Sequence, residues 1–167
     1  KYVFSQIGYN LKPLDLQGAV GQVQLKKFDE IHEIRRSNYQ TVANYFRYYP
    51  DDVRVIGEKE AAETSWFGVP IVCTNPKVKQ KLQQHLETNG IQTRNYFAGN
   101  LLLHPAYRHL GRAKDYPNAY EVLKQVFFLG TAPALSEEDL EYIGKTLHSF
   151  EVNTPVVADG YRYTFKV

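Results

Sequence analysis

The stretch from Asn75 to Gly90 constrains this chain more than any other. Asn75 offers a side-chain acceptor at an N-cap, and Pro76 presets the first helical φ. Val78, Leu82 and Leu86 recur at helical spacing, and Gly90 supplies a left-handed stop. A helix bounded at both ends and apolar on one face needs a second layer to cover it. The flanking runs are short enough to be strands of that layer. Residues 65–74 (Ser-Trp-Phe-Gly-Val-Pro-Ile-Val-Cys-Thr) form one, where Pro70 points to an edge position or a bulge. Residues 91–94 form another, leading into the loop-like stretch 97–107, and residues 52–56 a third. A charged loop, 57–63, lies between the first two strands in the chain.

Upstream, residues 15–49 carry apolar side chains at Leu16, Ala19, Val20, Val23, Phe28, Ile31, Val42 and Phe46. That spacing predicts one long helix, with a kink allowed, a wet face of lysines, arginines and acids, and an end at Pro50. Gly18 and Gly21 each cost about 1 kcal/mol against alanine in a helix, so close packing against another backbone is the expected reason for them. Downstream, residues 117–124 read as one or two helical turns and 126–129 as a buried strand. Ser136 reads as an N-cap followed by three acids, with Leu135 and Leu140 spaced as a staple across it. Leu140, Ile143 and Leu147 share one face of the last helix. The expected order is helix, strand, strand, helix, strand, short helix, strand, helix, which predicts an α/β class chain, an α+β sandwich with helices packed on a small sheet. The tail, 151–167, alternates Tyr161, Tyr163 and Phe165 and reads either as an added edge strand or as a mobile segment.

Charge and composition exclude several functions. Twenty basic residues against 18 acidic give a net charge of +2, too little for the field of a nucleic-acid binder. No apolar run approaches the ~20 residues a bilayer crossing needs. The single cysteine, Cys73, lies in an apolar strand and reads as a small buried thiol, which fits a reducing, cytoplasmic setting. Methionine is absent and the chain opens on Lys1-Tyr2-Val3-Phe4, so a start inside a longer protein is expected.

No motif is catalytic by itself: phosphate loop, dinucleotide fingerprint, paired-histidine zinc motif and serine elbow are all missing. The five histidines are scattered without ligand spacing, so no metal site is expected. His32, His85 and His148 read as solvated helix-surface residues. His104 differs, because it sits in an irregular loop beside Asn100, and loops on a scaffold carry binding groups. The turn Gly8-Tyr9-Asn10-Leu11-Lys12 offers an amide and an ammonium to an anion, or merely caps the helix that follows. Arg94, ending a strand, is either an anion clamp or an ordinary surface arginine.

The stretch Gly8-Tyr9-Asn10-Leu11-Lys12-Pro13-Leu14-Asp15-Leu16-Gln17-Gly18-Ala19-Val20-Gly21, continuing through Gln24-Leu25-Lys26-Lys27 to Arg35-Arg36, resembles the opening of the C-terminal half of the DegT/DnrJ/EryC1/StrS sugar aminotransferases. Ser65-Trp66-Phe67-Gly68, Gly90-Ile91-Gln92-Thr93-Arg94, Phe97-Ala98-Gly99-Asn100-Leu101-Leu102 and Pro105-Ala106-Tyr107 resemble its 3-dehydratase branch, which acts in lipopolysaccharide biosynthesis. The similarity runs from Lys1 to about Leu147.

This resemblance implies a fold-type I pyridoxal 5'-phosphate or pyridoxamine 5'-phosphate enzyme that removes the C3 hydroxyl of a nucleotide-linked 4-keto-6-deoxy sugar, with the cofactor as electron sink. It implies that residues 1–50 link to a cofactor domain outside the chain, that 51–150 form the small C-terminal domain, and that 151–167 form a tail. Asn10 would reach the cofactor phosphate of the partner subunit in a homodimer. Lys12 would lie near the substrate diphosphate, and Arg94, Asn100 and His104 on the side covering the sugar. The catalytic histidine, or the lysine of an aminotransferase, would lie upstream, so the chain alone is expected to be inert. Iron–sulfur cysteines of some dehydratases would also lie upstream, and a reductase is a partner that branch allows. A 4-aminotransferase of the same sugars and a non-enzymatic nucleotide-sugar or protein-binding module remain the alternatives.

Overall fold

The computed structural model describes residues 13–49 and 51–151. Helix α1 (Asp15–Lys26) and helix α2 (Phe28–Tyr45) stand where the sequence predicts one helix. They break at Lys27, whose N–H bonds back to Gln24 while its own carbonyl starts the next helix at Ile31. A 3-10 turn, Phe46–Tyr48, closes α2; Pro50 lies outside the described residues. Strand β1 (Val53–Val55) and strand β2 (Gly68–Cys73) follow, then α3 (Pro76–Thr88), β3 (Thr93–Asn95), three 3-10 turns, α4 (Pro117–Gln125), β4 (Val126–Gly130) and α5 (Glu137–His148). The sheet is antiparallel throughout, in the order β1-β2-β4-β3.

The helix ends are capped as the sequence predicts. Asn75 Oδ1 accepts from the N–H groups of Lys77 and Val78 at 3.0 and 3.1 Å. Gly90 takes a φ of +76° after α3. Ser136 and Asp139 exchange bonds in a capping box at the head of α5.

One sheet face presents Val53, Val69, Ile71, Cys73, Phe127 and Leu129 to α2, α3 and α5. These helices answer with Tyr39, Val42 and Phe46, then Val78, Leu82 and Leu86, then Ile143 and Leu147. The side chains of α2 therefore enter the same core as those of residues 51–150. Burial of this set at about 25 cal/mol per Å² is the main source of stability. The other sheet face carries Pro70, Val126 and Phe128, covered by α4 and the loop preceding it.

Pro70 corrects the edge-or-bulge expectation. It sits in β2, a central strand, opposite Phe128 and without a bulge. Its carbonyl accepts from Ile56 N–H at 3.0 Å, so its missing N–H faces the Ile56 carbonyl. That carbonyl is satisfied instead by the Tyr39 hydroxyl at 2.7 Å. A proline is thus tolerated mid-sheet because a helix side chain replaces the ladder bond it cannot make. The Tyr39 ring stacks on Trp66 with centroids 4.2 Å apart.

Among the described residues, nothing lies within 4 Å of a Cβ placed on Gly18 or Gly21, so the backbone expected to pack against them is not among these residues. Helix α1 buries no residue among the described ones, and Leu16, Val20, Val23 and Leu25 are exposed. Residues 152–167, with the predicted edge strand, lie outside the described residues.

Candidate functional site

Of the predicted site residues, Arg94 lies on the sheet's second face, and Asn100 and His104 lie in the loop that follows its strand. Registered pairing places Arg94 opposite Phe128, and Phe128 opposite Pro70, so the three form a row across β3, β4 and β2. Directly opposed residues on one face hold their Cβ atoms about 5 Å apart. Arg94 is exposed; its backbone belongs to the β3–β4 ladder, while its side chain makes no hydrogen bond or ion pair with the described residues. A guanidinium in that condition, with five donors in a planar fork, suits a phosphate or carboxylate.

Three aromatic rings, Phe67, Phe97 and Tyr96, surround Phe128. Phe67 lies 5.3 Å from Phe128 and 5.9 Å from Phe97; Phe97 lies 6.1 Å from Phe128 and 5.1 Å from Tyr96, centroid to centroid. Phe128 is buried, whereas Phe67 and Phe97 are 49% and 64% exposed. Two glycines permit this cluster. A Cβ on Gly68 would fall 2.6 Å from the Phe128 ring and 2.8 Å from the Leu129 carbonyl oxygen. Gly99 holds a φ of +63°, and a Cβ there would fall 2.6 Å from Leu123 in α4. Phe97 itself has a φ of +53°, unusual for a bulky residue and affordable only where the surroundings enforce it.

Asn100 and His104 are part of that enforcement. Asn100 is 2% exposed, with Nδ2 donating to the Ala113 carbonyl at 2.9 Å and Oδ1 accepting from Leu102 N–H at 3.1 Å. His104 Nε2 lies 3.0 Å from the Ala98 carbonyl. Both side chains thus hold the loop that carries Phe97. Asn10 and Lys12 lie outside the described residues.

The sequence reading missed other placements. His32 and His85 are not plain solvated residues. His85 Nε2 contacts the Thr146 carbonyl at 2.8 Å, and His32 Nε2 meets Glu63 at 3.1 Å while its Nδ1 is buried without a partner. His32, Glu33 and Glu63 offer ligand atoms within 4.8 Å of one another, beside the Arg36 guanidinium, which disfavours a cation there. Arg36 forks onto Glu58 at 2.6 and 3.1 Å; with the Thr64 N–H, it holds the Glu58 carboxyl down at about 2. Only the folded register, which returns loop 57–63 to α2, brings these groups together.

Two groups that look reactive are inert. Burial pushes the Cys73 thiol up to about 12, which leaves no thiolate at neutral pH. Lys79 is buried, with Nζ donating to the carbonyls of Leu123 and Val126 at 2.9 and 2.8 Å; burial lowers its pKa to about 8. An amine so engaged cannot reach a carbonyl compound. Among the described residues no other lysine is buried. Nor does any described helix have the length and apolarity to cross a membrane.

The chain resembles known proteins in sequence and in fold. The chain is 32% identical over 157 residues to the lipopolysaccharide biosynthesis protein RfbH of Salmonella typhimurium, covering 90% of this chain and 35% of that protein. It is 29% identical over 154 residues to the dTDP-4-dehydro-2,6-dideoxy-D-glucose 3-dehydratase of Saccharopolyspora spinosa, covering 90% and 33%. The fold matches that of the Escherichia coli GDP-4-keto-6-deoxy-D-mannose-3-dehydratase, solved with bound hydrated PLP. The TM-score is 0.71 at 27% identity, over 88% of this chain and 38% of that one. The chain therefore spans about a third of the length of the relatives it matches. The model of the DegT/DnrJ/EryC1/StrS aminotransferase family matches residues 1–148, and the chain belongs to that family.

Proposed function

We propose that the whole protein is a pyridoxal- or pyridoxamine-phosphate-dependent 3-dehydratase of a nucleotide-linked 4-keto-6-deoxyhexose, and that this chain supplies the domain covering the sugar. The observation that carries the reading is the likeness to 3-dehydratases in both sequence and fold: 29% identity to the Saccharopolyspora enzyme and a TM-score of 0.71 to the Escherichia coli one. An Arg94 side chain without a partner among the described residues, beside an apolar aromatic face, supports it, since a nucleotide sugar joins a diphosphate to a partly apolar hexose.

In this reading Arg94 holds a diphosphate oxygen, and Lys12 adds a second cation. Asn100 and His104 act by fixing the loop that carries Phe97. Asn10 donates to the cofactor phosphate across a homodimer interface, and the protein works in the cytoplasm, with a reductase downstream. When bound, the cofactor supplies the electron sink for loss of the C3 hydroxyl. The residues described here bind and orient the substrate and exclude water.

The second reading, a 4-aminotransferase, draws support from the family to which the chain belongs. Incubating the whole protein with a nucleotide-linked 4-keto-6-deoxyhexose and pyridoxamine phosphate, then weighing the product, separates them. Loss of oxygen at C3 supports the dehydratase. A stable 4-amino product that keeps its C3 hydroxyl supports the aminotransferase.

A further inference from the structure

Phe67 and Phe97 come from opposite sides of β4 and close over Phe128, yet leave 49% and 64% of their own surface in solvent. Large exposed rings carry a hydrophobic cost, and Phe97 adds backbone strain at its φ of +53°. The chain nonetheless spends Gly68, Gly99, Asn100 and His104 on keeping this arrangement. Apart from the Tyr96 hydroxyl the rings present no hydrogen-bonding atom, and the cation next in the row is Arg94. The patch is therefore built to meet a carbon surface that sits within a few ångströms of an anion.

We propose that Phe97 and Phe67 form the wall against which the C6 methyl group of the deoxyhexose lies, so that this patch sets the preference for a 6-deoxy sugar over one with a C6 hydroxyl. The inference rests on the nucleotide-sugar reading above. The relatives' substrates differ in their nucleotide, dTDP in one and GDP in another, but share the 6-deoxy group. A patch of rings cannot tell one diphosphate from another, whereas it can tell a methyl from a hydroxymethyl. The methyl gains apolar contact; the hydroxyl, pressed on ring carbons, loses water without finding a partner. Such discrimination by an apolar wall amounts to about tenfold to a hundredfold. With the sugar on the rings, the diphosphate on its anomeric carbon falls toward Arg94.

The test uses matched ligands that differ only at C6: GDP-D-rhamnose with GDP-D-mannose, and dTDP-6-deoxy-D-glucose with dTDP-D-glucose. Each is titrated by calorimetry into the whole protein with its cofactor. The wild type is expected to bind the 6-deoxy member of at least one pair about tenfold more tightly. Phe97→Asn, chosen because asparagine tolerates the left-handed backbone, should bring that ratio to about one while leaving the Kd for the free nucleoside diphosphate within about twofold. Phe67→Ser, at an ordinary backbone position, should do the same and guards against misfolding of the first variant. A wild type without preference, or a preference unchanged in both folded variants, overturns the inference and leaves the function standing. A wild type that binds none of the four ligands and turns over no keto sugar overturns the functional reading, and this inference with it.

Discussion

Replacing Gly68 with alanine puts a methyl where two fixed groups already stand. The new Cβ would lie 2.6 and 3.3 Å from carbons of the Phe128 ring and 2.8 Å from the Leu129 carbonyl oxygen. The ring could turn, but Leu129 belongs to β4, which is paired with β2 over five registered positions, so its oxygen cannot retreat without splaying the central ladder. Overpacking of this kind costs about 1–3 kcal/mol. Against it stands the gain of about 0.5–1 kcal/mol from removing glycine's freedom in a strand. Because one obstacle is backbone, the upper half of the penalty applies, and the net loss is about 2 kcal/mol. With an m-value of about 2 kcal/mol/M in urea, the unfolding midpoint of the 167-residue chain should fall by about 1 M at unchanged slope. A midpoint unchanged or raised would refute the packing argument. The same substitution at Gly21, where nothing lies within 4 Å, should instead raise stability by up to about 1 kcal/mol.

Three further outcomes follow from single groups. Asn75→Ala removes the acceptor for two N–H groups and should destabilise the chain by about 1 kcal/mol in urea unfolding. Glu58, held near 2 by Arg36 against an ordinary 4.5, contributes stability that is complete above 4.5 and lost as pH falls from there toward 2. Glu58→Gln should therefore flatten the acid limb of a midpoint-versus-pH curve in that window. Lys79, lowered to about 8 from 10.5, gives the opposite sign: the unfolded chain holds the extra proton between those values, so stability rises with pH from 8 upward. Burial raises Tyr39 and Tyr49 above 10 and opposes this at higher pH, so midpoints of wild type and Lys79→Met should be compared between 8 and 10, where only the wild type should climb.

The order of elements was legible because each is punctuated locally. Asn75-Pro76 and Gly90, and Ser136 with its acids, act within four residues of the backbone groups they satisfy, and they did so as expected. What failed was information carried between elements. Pro70 was read as an edge residue because the sequence cannot show that the Tyr39 hydroxyl, 31 positions away, supplies the missing donor. His32 and His85 were read from helical position alone, and their partners Glu63 and Thr146 arrive from distant segments. Gly18 and Gly21 were assigned close packing, and the backbone that would pack against them is not among the described residues.

The aromatic face was illegible for a related reason. Positions 67, 97 and 128 come together because β2 and β3 both pair with β4, and sheet order is set by the global core rather than by any local pattern. A trace was present in the sequence nonetheless. Phe67-Gly68 and Phe97-Ala98-Gly99 each place a glycine within two residues of an aromatic, and here each glycine clears the space that lets a ring or loop settle. Arg94 carried less signal than either, since an exposed arginine at a strand end is ordinary. What distinguishes it is the absence of any partner among the described residues, combined with registration opposite Phe128, and both are properties of the fold. Buried Asn100 makes the converse point: a polar residue in a loop invites assignment as a ligand contact, yet its amide is used on both sides to hold the backbone. Site residues here divide into those that reach outward and those that hold them, and that division is set by which hydrogen-bonding atoms the fold has already used.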